Sequence, residues 1–201
     1  MIEFLAPGIA TVIGVIPDID KLITDLEYNV STGVIQWIEA EVSGGENEVG
    51  KRPNIRDTSI IGVGFPTNET QPPADGSAPI NHLMYNLGKT LQDAFHPHIE
   101  EYCRKFGMGI REYDGYQLLK YGKGQKFDRH TDDHPDFPRR ISLTYYANDD
   151  YEGGEIEFDE FNLTIKPVKN QLLLFPSAYV YTHAVHPVIS GTRYAVVQWM
   201  R

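Results

Sequence analysis

The sequence predicts an α+β chain in which helices from the N-terminal half support a β-rich C-terminal half. Three observations predict it. Apolar residues recur at helical spacing in the first half, over residues 18–30 and 79–106. From residue 110 onward the chain divides into short extended runs, separated by turn signals such as DDYEGG, KPVKN and ISG. With 201 residues, 41% hydrophobic and 23% charged, it can bury one core and is too apolar to stay disordered. Many short strands at this spacing imply a sandwich or barrel. A single domain over 1–201 is expected, with 1–109 as helical and strand support and 110–201 as the β core.

Residues 4–16 read as an opening strand. Asp18 is a capping candidate before IDKLITDLEYNV, where Ile19, Leu22, Ile23 and Leu26 mark one helical face. Residues 32–41 are expected to be a strand, 42–55 a polar loop and RDTSIIGVG a further strand. The Pro-, Gly- and Asn-rich segment over about 64–78 is long enough to suggest a lid or binding loop. Residues 79–106 follow helical spacing, with Pro97 as a break or kink. The runs IREYDGYQLLKYG, RRISLTYYAN, EIEFDEFNLTIKP, QLLLF and TRYAVVQWM supply the strands of the core.

The net charge of -10 disfavours nucleic acid as a partner, because a phosphate backbone requires a basic surface. No apolar run approaches the roughly 20 residues of a membrane span. The apolar N-terminus lacks a basic leader and carries Glu3, so it does not read as a signal peptide. The lone Cys103 cannot form an internal disulfide and reads as a small core residue in a helix, as in a reducing compartment. A cytoplasmic location is expected; a virus-encoded protein acting in a host cytoplasm would look the same.

The chemistry begins at HTD, residues 130–132. In a strand, positions i and i+2 share a face, so His130 and Asp132 would form two teeth of a metal claw while Asp133 points away. A third tooth must come from elsewhere. Among seven histidines, His183 and His186 stand about fifty residues on, in YTHAVHPVISGTRY, with Arg193 shortly after. His82, His96 and His98 fall in the helical region, and His134 just follows HTD. Two imidazoles and one carboxylate on one side of a metal leave open positions that suit non-haem Fe(II). Structural zinc would use four ligands, usually with cysteine, and only Cys103 is present. Catalytic zinc would leave Arg193 unexplained.

The stretches YGKGQKFDRHTD, RRISLTYYANDDYEGGEIEF, VKNQLLLFPS and HAVHPVISGTRYAVVQW, over about 116–200, occur in an order that resembles the Fe(II)/2-oxoglutarate-dependent dioxygenases, in their prolyl 4-hydroxylase-like branch. IRDTSI resembles a short arginine-bearing strand of the same branch. The resemblance implies a double-stranded β-helix (jelly-roll) core and iron ligands His130, Asp132 and His183. His186 competes for the last role, but the Pro-Val that follows fits HAVHPV with His183 first. It also implies Fe(II), 2-oxoglutarate and O2, with ascorbate as reductant, and hydroxylation of an unactivated C–H bond.

The 2-oxoglutarate dianion needs a cation for its far carboxylate. Arg193 matches the family's basic residue and shares a strand face with Ala195, Val197 and Trp199, where an unpaired charge would be costly. The resemblance places Tyr146, on the face of Ser142 and Thr144, at the same carboxylate, and Tyr121 near the cosubstrate. Thr144 is a weaker neighbour. Arg56 and Trp199 are candidates on the substrate side. The acidic run NDDYEGGE reads as a solvated turn. The implied substrate is a prolyl residue in a peptide or protein; a free amino acid or other small molecule is the alternative. A binding barrel without catalysis and a zinc hydrolase on a similar barrel are rivals from other classes. Oligomeric state is not legible.

Overall fold

A computed structural model describes residues 1–43, 49–64, 66, 74, 76 and 78–201. The first half holds β1 (Glu3–Ala6), β2 (Ile9–Ile13), α1 (Ile19–Ser31), β3 (Ile38–Glu39), β4 (Val42–Ser43), β5 (Val49–Gly50), β6 (Ser59–Val63) and α2 (Pro79–Phe106). The second half holds β7 (Tyr116–Tyr121), β8 (Phe127–His130), β9 (Ile141–Tyr146), β10 (Glu152–Gly153), β11 (Ile156–Phe158) and β12 (Leu163–Ile165). It ends with β13 (Gln171–Pro176), β14 (His183–Val185), β15 (Val188–Ser190) and β16 (Arg193–Met200).

Eight strands form a major sheet in the order β1-β2-β13-β9-β16-β7-β6-β3, and four form a minor sheet in the order β12-β11-β14-β8. The pairings are antiparallel. The two sheets face one another as a jelly-roll, and the helices cover the outside of the major sheet. In β9, ISLTYY, all six residues are buried. Ile141, Leu143 and Tyr145 face the helices, joining Leu91, Phe95 and Ile99 of α2. Ser142, Thr144 and Tyr146 face the barrel interior, as the alternation predicts. The interior is lined by Leu119, Tyr121, Leu173, Phe175 and Ala195 of the major sheet and Ile156, Phe158 and Val185 of the minor one.

The N-terminal half departs from expectation in several places. The opening strand is a hairpin, because Gly8 adopts a φ of +75° and turns the chain. A Cβ there would stand 2.5 Å from the Tyr181 hydroxyl, so the position has no room for a side chain either. The region 32–41 contributes only β3. Gly33 takes a φ of +75°, and the Val34 and Ile35 amides turn back to the Asn29 carbonyl, which uses up the backbone a strand would need. The polar loop over 42–55 contains the short pair β4–β5. Asp18 sits at the α1 N-cap, but its side chain makes no capping bond.

α2 continues through Pro97. Its buried residues Leu91, Phe95, Ile99, Tyr102 and Cys103 keep one stripe on either side of the proline, so packing against the sheet holds both halves in line at the cost of one backbone bond. The stop comes at Gly107, a left-handed C-cap, with Arg104 and Lys105 in the last turn where the helix dipole favours cations. Cys103 is buried, as expected, and burial raises its thiol pKa. On α1, Glu27 accepts bonds from Lys120 Nζ at 2.9 Å, Tyr194 Oη at 2.9 Å and Trp37 Nε1 at 3.2 Å, which ties that helix to β7 and β16. The proposed lid over 64–78 lies largely outside the described residues. Among the described residues no helix is long and apolar enough to cross a membrane.

Candidate active site

β8 and β14 pair so that His130 stands opposite His183, with ring centroids 4.3 Å apart. The strand ends at His130, so Asp132 does not lie on it, contrary to the i, i+2 expectation. Thr131 and Asp133 both bond the Ser177 carbonyl, at 2.9 and 3.0 Å, and this anchor turns Asp132 back toward the histidines. Its carboxylate lies 3.5 Å from His130 Nε2 and 3.9 Å from His183 Nε2. Potential ligand atoms of His130, Asp132 and His183 all fall within 4.8 Å of one another, the one such group among the described residues.

Each imidazole is oriented from behind. His130 Nδ1 donates to the Asp128 carbonyl at 2.8 Å, and His183 Nδ1 to the Tyr181 carbonyl at 3.0 Å. A carbonyl can only accept, so each Nδ1 carries a proton and each Nε2 is the ring nitrogen that faces Asp132. Phe127 stacks on His130 at 3.6 Å, while Phe158 and Phe175 flank His183. Burial lowers the His183 pKa to about 4, against the pull of Asp132, and so keeps the imidazole neutral at pH 7. Burial alone would raise Asp132, but His183, then His130 and the Ser142 hydroxyl, hold its carboxyl well below the ordinary range. Two imidazoles and one carboxylate that converge on open space suit a divalent ion with free positions. His186 is turned away: its Nε2 meets Glu157 at 2.8 Å, and it is 39% exposed.

Arg193 opens β16 in register with Tyr121 of β7. It is 1% exposed, and its Nε and Nη1 have no partner among the described residues. Its guanidinium lies 4.8 Å from the Tyr121 ring centroid and 5.0 Å from that of Tyr146, which hold it as a cation over two π faces. The Tyr146 hydroxyl is also buried without a partner, and burial pushes its pKa up, so it remains an O–H donor. A buried guanidinium with orphaned N–H groups beside orphaned hydroxyls fits an anion. The salt bridge that would explain Arg193 structurally is missing at those two nitrogens.

Thr144 faces the same interior, opposite Leu173 and Val197. Arg56 sits beside the metal cluster. Its backbone bridges Phe127, its guanidinium lies 5.0 Å from that ring, and its Nη2 donates to Gln117 Oε1 at 3.2 Å. Trp199 lies under Arg139 at 3.9 Å, and both line a cleft of about 350 Å3 with Gly62, Gly64, Asp114 and Gln117. Arg139 escaped the sequence reading. It bonds the Asp132 carbonyl at 3.1 Å and Asp114 at 3.4 Å, contacts that no local pattern announces. Tyr151 escaped as well. The run NDDYEGGE is a turn with exposed Asp149, Asp150 and Glu152, as expected, yet Tyr151 within it is buried.

A family model described as the 2OG-Fe(II) oxygenase superfamily matches residues 116–201. The chain is 36% identical over 91 residues to a PKHD-type hydroxylase of Synechococcus sp. (strain JA-3-3Ab), a match covering 40% of each protein. It is 36% identical over 97 residues to a PKHD-type hydroxylase of Psychrobacter sp., covering 44% of this chain and 36% of that protein. The chain thus spans about two-fifths of the length of the curated relatives it matches. Among solved structures it is similar to a prolyl hydroxylase from Trichoplax adhaerens, in complex with a hypoxia inducible factor peptide fragment. The TM-score is 0.69 at 19% identity, covering 96% of this chain and 83% of that one. It is also similar to a Pseudomonas putida prolyl-4-hydroxylase, with a TM-score of 0.64 at 20% identity, covering 96% and 92%. The two-histidine, one-carboxylate cluster and the jelly-roll around it agree with the match of residues 116–201 to the 2OG-Fe(II) oxygenase superfamily.

Proposed function

We propose that the protein is an Fe(II)- and 2-oxoglutarate-dependent hydroxylase of an unactivated C–H bond, with a prolyl residue in a peptide or protein as substrate. The observation that carries this reading is the pairing, inside one barrel, of the His130–Asp132–His183 cluster with the unpaired, buried Arg193. His130, Asp132 and His183 would hold the iron. Arg193 and Tyr146 would take the far carboxylate of 2-oxoglutarate, with Tyr121 and Thr144 along the same wall. When bound, iron, 2-oxoglutarate and O2 supply the oxidising power, a task for which no side chain is equipped.

This chain's own residues orient and exclude. The carbonyls of Asp128 and Tyr181 fix the imidazoles, and Phe127, Phe158 and Phe175 keep water from the metal side. Asp132 offsets part of the ion's charge. Arg56 and Trp199 belong to the substrate side, Trp199 through the cleft it lines with Arg139. The peptide bound to the Trichoplax enzyme favours a peptide substrate over a small molecule. Residues 1–201 act as one unit, with 1–109 as support. Ascorbate and a reducing cytoplasm fit a site that must keep iron ferrous.

Anaerobic addition of 2-oxoglutarate to the Fe(II)-loaded protein tests metal, cosubstrate and geometry together. A visible charge-transfer band is expected, and its absence would sink the reading. Incubation in air with a peptide library, followed by mass spectrometry, should then show gain of one oxygen atom on proline. Gain on free amino acids alone would move the substrate to a small molecule. Turnover with zinc and no 2-oxoglutarate would point to a hydrolase.

A further inference from the structure

Tyr151 sits in an acidic turn but faces inward. It is 5% exposed, and its hydroxyl is buried without a partner among the described residues. The turn is fastened on both sides of Arg193. Asn148 Nδ2 donates to the Thr192 carbonyl at 2.7 Å, and Asn148 Oδ1 accepts from the Tyr194 amide at 2.8 Å. β10, immediately after Tyr151, pairs with β15, which leads into β16. Gly154 closes the arrangement. With φ at +66°, a Cβ there would stand 2.9 Å from Arg193 Cδ and 3.1 Å from Tyr151 Cε2. The missing side chain therefore lets the guanidinium stem and the Tyr151 ring share one wall.

Tyr121 and Tyr146 offer ring faces to the guanidinium. Four donors around it are orphaned: Arg193 Nε and Nη1, the Tyr146 hydroxyl and the Tyr151 hydroxyl. A carboxylate has about four lone-pair sites on its two oxygens. A methyl or a neutral amide in its place would leave buried donors unpaired, which a dry site penalises heavily. Tyr151, which shares a wall with Arg193, adds a hydroxyl donor to those of the guanidinium and Tyr146 for a carboxylate oxygen to accept from.

We propose that Tyr151 is a specificity-determining residue of the anion site, its hydroxyl donating to the distal carboxylate of a 2-oxo diacid beside Arg193. The proposal rests on the function proposed above and adds a residue that selects diacids over monoacids.

The test is calorimetric and uses no turnover. The protein loaded with Mn(II) is titrated with 2-oxoglutarate and with 2-oxopentanoate, which carries a methyl in place of the distal carboxylate. Tyr151→Phe keeps the ring and removes only the hydroxyl. It should weaken 2-oxoglutarate about 10-fold, the worth of one hydrogen bond to a charged group, and leave 2-oxopentanoate unchanged. Unchanged monoacid binding also shows that the variant is folded. Equal 2-oxoglutarate binding by variant and wild type overturns the proposal. So does equal weakening of both probes, or loss of both, because either marks a packing role. If wild type itself binds no 2-oxoglutarate with metal, the function proposed above fails too; if wild type binds it and the variant does so equally well, only the role of Tyr151 fails.

Discussion

His130 and His183 face one another across β8 and β14, each with its Nδ1 tied to a backbone carbonyl two residues before it. The symmetry of that arrangement sets both Nε2 atoms toward Asp132, and it depends on main chain rather than on further side chains. The site is therefore as rigid as the strand pair that bears it.

Asp132→Ala should abolish useful metal binding. It removes the only anion of the cluster and leaves two imidazoles with no charge to offset a divalent ion. Since losing an outer partner of a metal ligand costs 10- to 100-fold, losing the ligand itself should cost more than about 100-fold in Co(II) affinity. Co(II) titration followed by visible absorbance measures it. Wild-type-like affinity would remove Asp132 from the ligand set.

Arg193→Met tests the anion site separately from the metal. The flexible apolar chain fills the space between Tyr121 and Tyr146, so Co(II) binding should change little. Binding of 2-oxoglutarate to the metal-loaded protein should weaken by at least about 30-fold, the lower end for loss of one partner of a buried charge pair. Thermal shift on adding 2-oxoglutarate should vanish with it.

Glu27 makes part of the stability depend on pH. Burial would raise its pKa, but the bond from Lys120, then Tyr194 and Trp37, outweighs that and holds it below the ordinary value. A carboxyl with a depressed folded-state pKa binds fewer protons folded than unfolded, so its contribution is present above the unfolded pKa and is lost as pH falls through the folded one. Urea unfolding from pH 6 downward should show stability falling below about pH 4.5. Glu27→Gln should flatten that fall and cost about 1 kcal/mol at pH 7, since the group is partly exposed.

Pro97→Ala should stabilise the protein. An alanine restores the missing amide in a helix already held straight by its buried stripe, and it removes the ring clash. A gain of about 1–3 kcal/mol is expected, a rise in Tm of several degrees for a chain this size. A fall in Tm would mean that the proline shapes the helix for packing against the sheet.

Much of this was legible beforehand. Alternation in ISLTYY assigned Ser142, Thr144 and Tyr146 to one face and their neighbours to the other, because a doubly covered sheet buries both. HTD, HAVHPV and Arg193 stand in an order that resembles a known family, and that resemblance named His130, Asp132 and His183, whose ligand atoms meet. The N-terminal strands were less legible. Residues 4–16 and 32–41 have strand-like composition, but single glycines with positive φ, Gly8 and Gly33, break them, and composition does not report φ.

The sequence by itself determined the strand-rich half, through residue type and alternation along one stretch of chain, and it pointed to His130, Asp132, His183 and Arg193 only through an order of motifs that resembles a known family. Only the tertiary structure decided that Asp132 leaves the strand yet meets both histidines, that Arg139 packs over Trp199, and that Tyr151 turns inward from an acidic turn. These are meetings of segments far apart in sequence. Backbone groups of Ser177, Thr192 and Tyr194 make the first and the last, and the Asp132 carbonyl helps to hold Arg139; every chain carries backbone of that kind everywhere, so no local pattern marks where it will be used.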